Sequence, residues 1–114
     1  HIVVMGHAGC GGVKAALEHS AAKQTEDMFI SKWMSMLADA RLNVLAAHQG
    51  ATQKERLRAL ELEGIKTSLA NLRTFPCVQA LEAKGRLGLH GVYFDIATGG
   101  LMILNQQTGE YYGL

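Results

Sequence analysis

The sequence predicts an α/β fold in three layers, with a mostly parallel sheet and an antiparallel edge strand at the C-terminal end. Three observations support this class. A short apolar run at the start leads through a glycine-rich loop into a helix, as in α/β units. A long stretch of helical sequence follows, and two strand-like segments joined by a turn come last. The helical crossover should return the chain to a strand parallel to the first, with the last strand as the antiparallel edge.

Length and composition favour one small globular domain. The chain has 114 residues, of which 48% are apolar, and a single proline, which argues against disorder. Its formal net charge of +1 gives no electrostatic reason to expect a nucleic acid or an anionic membrane as partner. No segment approaches the roughly 18 apolar residues of a membrane span. The two cysteines, Cys10 and Cys77, are too few for a disulfide scaffold, so we expect a reducing, cytoplasmic environment.

The first element is a strand that ends at Gly6. Its apolar run, Ile2-Val3-Val4-Met5, predicts a strand buried on both faces, with sheet neighbours on either side. A domain that begins with such a strand lacks some of those neighbours. We therefore expect residues 1–114 to be the C-terminal part of a single domain that is truncated before this strand. The first strand should then have an edge that is unpaired or covered by a partner.

Helical spacing of apolar residues predicts four helices before the closing strands. Thr25 is a suitable N-cap for the second helix, and Thr52 with Glu55 has the form of a capping box for the third. Pro76 should end the third helix, because the residue before a proline resists the helical region, and should begin the fourth as its first residue. The charges between Lys54 and Glu63 should form a solvated helix face. The predicted helices lie at about 13–22, 26–48, 52–75 and 76–85.

Two strands are predicted after the last helix. Leu87–Ile96 is rich in valine, tyrosine and phenylalanine, which favour strands. The turn Thr98-Gly99-Gly100 then leads to a second strand at Leu101–Leu104, so the pair should form a hairpin. Thr108-Gly109 predicts a further turn before the last tyrosines.

The loop after the first strand is the segment in which we expect chemistry, because ligands of open α/β sheets bind at the carboxyl ends of strands. Its sequence is Gly6-His7-Ala8-Gly9-Cys10-Gly11-Gly12-Val13-Lys14. A phosphate-binding loop or a nucleotide-binding module is one interpretation, since the glycines precede a helix N-terminus. However, Gly12 stands where a P-loop needs lysine, and Lys14 stands where a dinucleotide-binding loop needs its third glycine.

A metal site is the second interpretation of the same loop. His7 and Cys10 carry an imidazole and a thiol, both of which are zinc ligands, and the following helix N-terminus favours the thiolate. A third interpretation gives both residues only a structural role, since cysteine is commonly buried without chemistry. The residues alone leave these interpretations open.

Four segments resemble the β-class carbonic anhydrases. The run from His1 to Val13 resembles the family's second zinc-ligand motif, a hydrophobic strand followed by Gly-His-x-x-Cys-Gly. Phe29–Met34 resembles a helical segment of bacterial members. Ser68–Pro76 and Leu89–Ile96 resemble the family's S-L-x-N-L-x-T-F-P and L-H-G-x-x-x-D-I stretches. The segments occur in the family's order and cover essentially the whole chain.

The resemblance implies a zinc enzyme that interconverts carbon dioxide and bicarbonate. It implies a homodimer as the basic unit, often assembled further, with active sites at the subunit interface. In the family two cysteines and one histidine hold the zinc, and the fourth position takes water, hydroxide or an aspartate. Carried over by residue, His7 and Cys10 would be two of the three permanent ligands. Gly11 would border the substrate pocket beside the metal.

One signature of the family, C-x-D-x-R, is not found in this sequence. It supplies the remaining cysteine and an Asp–Arg pair, and in the family it precedes the strand on which this chain begins. The segment at Cys77 has Gln79 and Leu81 where the aspartate and arginine would be, so we expect Cys77 to be a packed core thiol. A non-catalytic relative that acts as an interaction module is the alternative function.

Overall fold

A computed structural model of the chain describes residues 1–18 and 32–114. The predicted helix end at 19–22, the N-cap Thr25 and the motif residues 29–31 lie outside the described residues. The chain divides into two units, one of residues 1–8 with 65–114 and one of residues 9–64. The elements are β1 (Ile2–His7), α1 (Gly11–Glu18), α2 (Ala38–Ala47), α3 (Gln53–Leu72), α4 (Pro76–Ala83), β2 (Leu89–Asp95), β3 (Gly100–Leu104) and β4 (Tyr111–Gly113).

The first unit contains a four-stranded mixed sheet in the order β1-β2-β3-β4. Strands β1 and β2 are parallel, in a register that places Ile2 opposite Leu89 and His7 opposite Phe94. The pairs β2–β3 and β3–β4 are antiparallel. The α/β class, the parallel return of the chain after the helices and the antiparallel C-terminal edge are thus confirmed.

Strand β1 lies at one edge of this sheet and has one exposed face. Val3 and Met5 are 56% and 66% exposed, whereas Ile2 and Val4 are half-buried. The prediction of a strand buried on both faces is therefore wrong for the described chain. An apolar run shows that a residue can be buried, but only the neighbours decide which face is covered. The expected unpaired edge is confirmed, because among the described strands β1 pairs only with β2.

Strand β4 is an addition to the sequence prediction, which places only a turn in this region. The side-chain Oδ1 of Asn105 accepts hydrogen bonds from the backbone N–H groups of Gln107 and Thr108, at 3.0 and 3.3 Å. Gly109 adopts a positive φ of 76°. This tight turn reverses the chain and allows β4 to pair with β3.

The core of the first unit lies between the sheet and the helical segments of that unit. Tyr93 in β2 is fully buried, and Leu69 is 2% exposed. The remaining buried apolar residues of this unit are Ile65, Val78, Leu89 and Leu104.

The second unit is helical and has a core of its own. The apolar face of α1 is buried as its spacing predicts, through Val13, Ala16 and Leu17. The guanidinium Nε of Arg41 donates to the carbonyl of Leu17 at 2.9 Å, which satisfies a carbonyl near the end of α1. The buried cluster consists of Val13, Ala16, Leu17, Met34, Leu37, Ala40, Val44 and Leu60.

The helix predicted at 26–48 is not continuous over its described part. A single 3₁₀ turn, Ser35–Leu37, separates helical residues 32–34 from α2. The hydroxyl of Ser35 donates to the carbonyl of Lys32 at 2.6 Å, and Leu37 has φ −94° and ψ 4°. Serine side chains compete in this way for backbone partners, so the even apolar spacing did not reveal the break.

Helices α3 and α4 begin and end largely where the sequence predicts. The backbone N–H of Thr52 donates to a carboxylate oxygen of Glu55 at 3.1 Å, and the N–H of Glu55 donates to the Thr52 hydroxyl at 3.2 Å. The capping box at the start of α3 is thus confirmed. Phe75 is extended before Pro76, the first residue of α4, and Gly85 follows that helix with φ 66°. None of the described helices is long and apolar enough to cross a membrane.

A polar network in the first unit joins α3, α4 and the sheet through Arg73. The guanidinium donates to both carboxylate oxygens of Glu82 at 2.9 to 3.2 Å, and to the side-chain oxygen of Gln106 at 2.7 Å. The amide nitrogen of Gln106 in turn donates to the carbonyl of Leu89 in β2 at 2.6 Å. The hydrogen bond from Arg73 is the main cause of a lowered pKa of the Glu82 carboxyl.

This lowered pKa predicts a pH-dependent contribution to stability. Because the folded-state pKa of Glu82 lies below the ordinary 4.5, its ion pair stabilises the fold above that value and loses this effect as the pH falls through the folded-state pKa. Urea unfolding of wild type and Glu82→Gln should therefore differ at neutral pH and converge in acid. The exposed Glu110 of the same unit supplies the control Glu110→Gln. A difference between wild type and Glu82→Gln that persists in acid would contradict the prediction.

Candidate metal-binding site

His7 is the last residue of β1 and is exposed. The backbone N–H of Ala8 donates to the carbonyl of Phe94 at 2.9 Å, which extends the parallel pairing just beyond His7. The imidazole Nδ1 of His7 lies 3.0 Å from the carbonyl oxygen of Ala8. Since a carbonyl only accepts, Nδ1 is the donor, and in the neutral imidazole the lone pair then lies on Nε2. Metal-binding histidines commonly have this arrangement, in which the second ring nitrogen donates to a backbone carbonyl.

Cys10 belongs to the second unit and caps α1. Its carbonyl accepts the backbone N–H of Lys14 at 2.9 Å, which is the first hydrogen bond of that helix. Its own backbone N–H donates to a side-chain carboxylate oxygen of Glu61 at 3.0 Å. The half-buried side chain is a free thiol that packs against the core cluster of the second unit.

Of the glycines around Cys10, Gly9 and Gly11 adjoin open space among the described residues, and Gly12 does not. A Cβ added at Gly11 would have no heavy atom of the described residues within 4 Å, whereas one at Gly12 would lie 3.3 Å from the ring of Trp33. Gly11 is therefore a position at which a small molecule can approach the backbone. Its assignment to the border of a substrate pocket stays a prediction.

The donor atoms of His7 and Cys10 fit zinc, but they are fewer than a zinc site needs. One imidazole nitrogen and one thiolate sulfur are typical zinc ligands, and zinc normally takes four. Among residues 1–18 and 32–114, no group of three or more histidine, cysteine, aspartate or glutamate side chains could hold a metal ion. Two donors are half of the four that zinc usually takes, and the roles of His7 and Cys10 as ligands stay predictions.

Three further side chains of metal-ligating types, His48, Cys77 and His90, lie outside this loop. His90 in β2 has its Nε2 2.9 Å from Nδ1 of His1, so its partner is a second imidazole. His48 is the C-cap residue of α2. Cys77 is exposed in the first turn of α4, where Val78 is the buried residue, so the expectation that Cys77 is a packed core thiol is wrong.

Glu61 is the residue of interest that sequence reasoning missed. The prediction of a solvated helix face from Lys54 to Glu63 is wrong at this position, since Glu61 is only 4% exposed. The signal was present in the spacing, because Leu57, Glu61 and Ile65 follow one another at intervals of four residues on one helix face. A carboxylate in an apolar stripe is a buried polar group that needs a hydrogen-bond donor.

Strand β1 pairs in parallel with β2 and ends at a histidine. A glycine loop and a cysteine at the start of α1 follow it, so the chain is an α/β protein with a candidate metal-binding loop. The family model described as carbonic anhydrase matches residues 1–101. The chain belongs to the carbonic anhydrase family and, with β-class enzymes among its relatives and structural neighbours, to the β class.

Curated relatives from a bacterium and a plant match most of this chain. A carbonic anhydrase of Pseudomonas aeruginosa is 34% identical over 113 residues, which are 99% of this chain and 50% of the relative. Beta carbonic anhydrase 3 of Arabidopsis thaliana is 30% identical over 101 residues, which are 87% of this chain and 39% of the relative. The chain thus spans half or less of the length of these relatives.

Solved structures have the same fold as this chain over about half of their own length. The β-carbonic anhydrase CcaA superposes with a TM-score of 0.89 at 25% identity, over 99% of this chain and 50% of that one. One of two tetrameric β-carbonic anhydrases from Sordaria macrospora has a TM-score of 0.78 at 28% identity, over 92% of this chain and 52% of that one.

Proposed function

We propose that the protein containing this chain is a zinc-dependent carbonic anhydrase, which catalyses the reversible hydration of carbon dioxide to bicarbonate. The observation that carries the proposal is the Gly-His-x-x-Cys-Gly loop at the end of β1, in a chain that belongs to this family. His7 and Cys10 would be two of the zinc ligands. When bound, zinc would supply Lewis acidity that lowers the pKa of water to about 7.

The chain's own residues contribute binding and orientation. The hydrogen bond between His7 Nδ1 and the Ala8 carbonyl supports Nε2 as the ligand atom, because it fixes the tautomer. The free, half-buried thiol of Cys10, directly before α1, supports this side chain as the second ligand. The open space at Gly11 supports the approach of a molecule as small as carbon dioxide to this loop.

Assembly and location form part of the same proposal. One of the solved relatives is described as tetrameric, which supports a homodimer or higher homo-oligomer for this protein. The thiols of Cys10 and Cys77 are both free, which supports a reducing compartment such as the cytoplasm. We propose no nucleic acid or membrane as partner, since a net charge of +1 gives no attraction to either.

The alternative, a non-catalytic relative that acts as an interaction module, is favoured by one observation. Among residues 1–18 and 32–114, no group of three or more histidine, cysteine, aspartate or glutamate side chains could hold a metal ion. The chemistry of the intact protein distinguishes the two functions, because only the enzyme needs a complete metal site.

Elemental analysis and stopped-flow hydration of carbon dioxide test the proposal. The intact protein should hold zinc and hydrate carbon dioxide. Residues 1–114 alone should bind zinc weakly and hydrate poorly, because two ligands are half of the four that zinc usually takes. Hydration by residues 1–114 at the rate of the intact protein would contradict this. An intact protein with neither zinc nor activity would favour the interaction module, and thermal stabilisation by nucleotides without zinc would favour a nucleotide-binding module.

A further inference from the structure

Glu61 places a buried carboxylate against the backbone of a candidate zinc ligand. The side chain lies on α3 and is 4% exposed, and its Oε1 accepts the N–H of Cys10 at 3.0 Å. The two residues are 51 positions apart in the sequence and belong to the same unit. This bond therefore ties the ligand loop to the middle of a 20-residue helix.

The segment around Cys10 needs such a tie, because glycine stands on both sides. Gly9 adopts φ 69°, and added Cβ atoms at Gly9 and Gly11 would meet no atom of residues 1–18 and 32–114 within 4 Å. Glycine has the largest backbone freedom of all residues, and open space means that packing does not restrict these two. The backbone amide of Cys10 lies between these two glycines and is held by Glu61, which lies outside the loop.

The free-energy cost of burying the Glu61 carboxylate favours a specific role for this residue over a purely stabilising one. Burying a carboxylate is costly unless it is well hydrogen-bonded, and an apolar residue of similar volume often stabilises a core better. An N–H bond to a carboxylate is charge-assisted and stronger than a neutral one. It also places a negative charge beside the positive end of the α1 dipole.

We propose that Glu61 is a positioning residue for the metal ligand Cys10. By holding the backbone amide, it fixes the direction in which the Cys10 side chain leaves the loop. The role of the ligand itself rests on the proposed function. Partners that orient metal ligands typically change metal affinity about 10- to 100-fold when they are removed.

Substitutions at Glu61 in the intact protein test this role. Glu61→Leu keeps most of the volume and removes the acceptor, so zinc affinity in competition with a chromogenic chelator should fall about 10- to 100-fold. Glu61→Gln retains an amide oxygen as acceptor and should stay within a few-fold of wild type. Glu61→Met is a second acceptor-free variant, with a flexible side chain that fills irregular space. Glu18→Gln, at an exposed position of α1, is the control.

Two further readouts separate positioning from general stability. In the cobalt-substituted protein, the thiolate-to-cobalt absorption band should weaken or shift in Glu61→Leu and be restored in Glu61→Gln. In the metal-free protein, hydrogen exchange of the Cys10 amide should be faster in Glu61→Leu than in wild type, and close to wild type in Glu61→Gln. Circular dichroism establishes which variants are folded, so that either Leu or Met can be compared with Gln.

The outcomes distinguish the two proposals. Wild-type protein that takes up no zinc would overturn the proposed function, and with it the role of Glu61 toward zinc. Zinc-binding wild type whose folded, acceptor-free variants keep its affinity and cobalt spectrum would overturn the role of Glu61 alone. Equal losses in the Leu and Gln variants would also overturn it, because the acceptor would then not be the cause.

Discussion

Cys10→Ser is expected to remove most of the zinc and most of the carbon dioxide hydration from the intact protein. Zinc binds thiolate strongly, whereas a serine hydroxyl stays protonated at neutral pH and is a poor ligand. The substitution changes one atom and leaves the backbone N–H that donates to Glu61 in place. The fold of the loop should therefore persist, so that the loss reports the missing sulfur.

Cys77→Ser is the matched control, because it makes the same chemical change at the other free thiol. Cys77 is exposed in the first turn of α4, and we expect neither zinc content nor hydration to change. Elemental analysis and stopped-flow kinetics of the two variants provide the comparison. Zinc retained by Cys10→Ser, or lost equally from both variants, would exclude Cys10 as a specific ligand.

The candidate ligands His7 and Cys10 could be proposed from the sequence because their signal is local. His7 and Cys10 lie three residues apart in a loop whose strand and helix are both visible in the apolar pattern. The capping box of Thr52 and Glu55 was predictable for the same reason. Glu61 was not, because its partner is 51 residues away and only the folded chain brings the two together.

The limits of the fold prediction have the same physical origin. Strand β1 was recognised by its apolar run, but the exposure of Val3 and Met5 depends on neighbours that the run does not encode. The 3₁₀ turn at Ser35–Leu37 depends on one hydroxyl that bonds to a nearby carbonyl. Local sequence patterns therefore predict where most helices and strands lie, whereas contacts with distant residues determine which of their faces are buried.

Gly91→Ala is expected to destabilise the first unit strongly for so small a change. Gly91 lies in β2, opposite Val4 of β1, at a buried position. An added Cβ would lie 2.9 Å from Cγ2 of Ile65 and 3.1 Å from a methyl carbon of each of two leucines, Leu69 and Leu104. A separation below 3.0 Å is not tolerated between such atoms, so these side chains, or the helix and strand that carry them, must shift.

The neighbours of Gly91 have little room to move, which sets the size of the effect. Ile65 and Leu69 are 3% and 2% exposed, so they are confined on all sides. Overpacking of a well-packed core costs about 1–3 kcal/mol. We therefore expect urea unfolding of Gly91→Ala to show a loss of free energy in that range. Glycine inside a strand often marks such a close approach, and here α3 is its cause.

Gly113→Ala in β4 is the control, since a Cβ there would meet no heavy atom within 4 Å in the part of the chain that the structure describes. At an unconstrained position, Gly→Ala reduces the entropy of the unfolded chain and stabilises by up to about 1 kcal/mol. The two substitutions are chemically identical and should have opposite signs, so the comparison isolates the contact with α3. If Gly91→Ala were as stable as Gly113→Ala, the packing of α3 against β2 would have to be looser than the distances from Ile65 and Leu69 indicate.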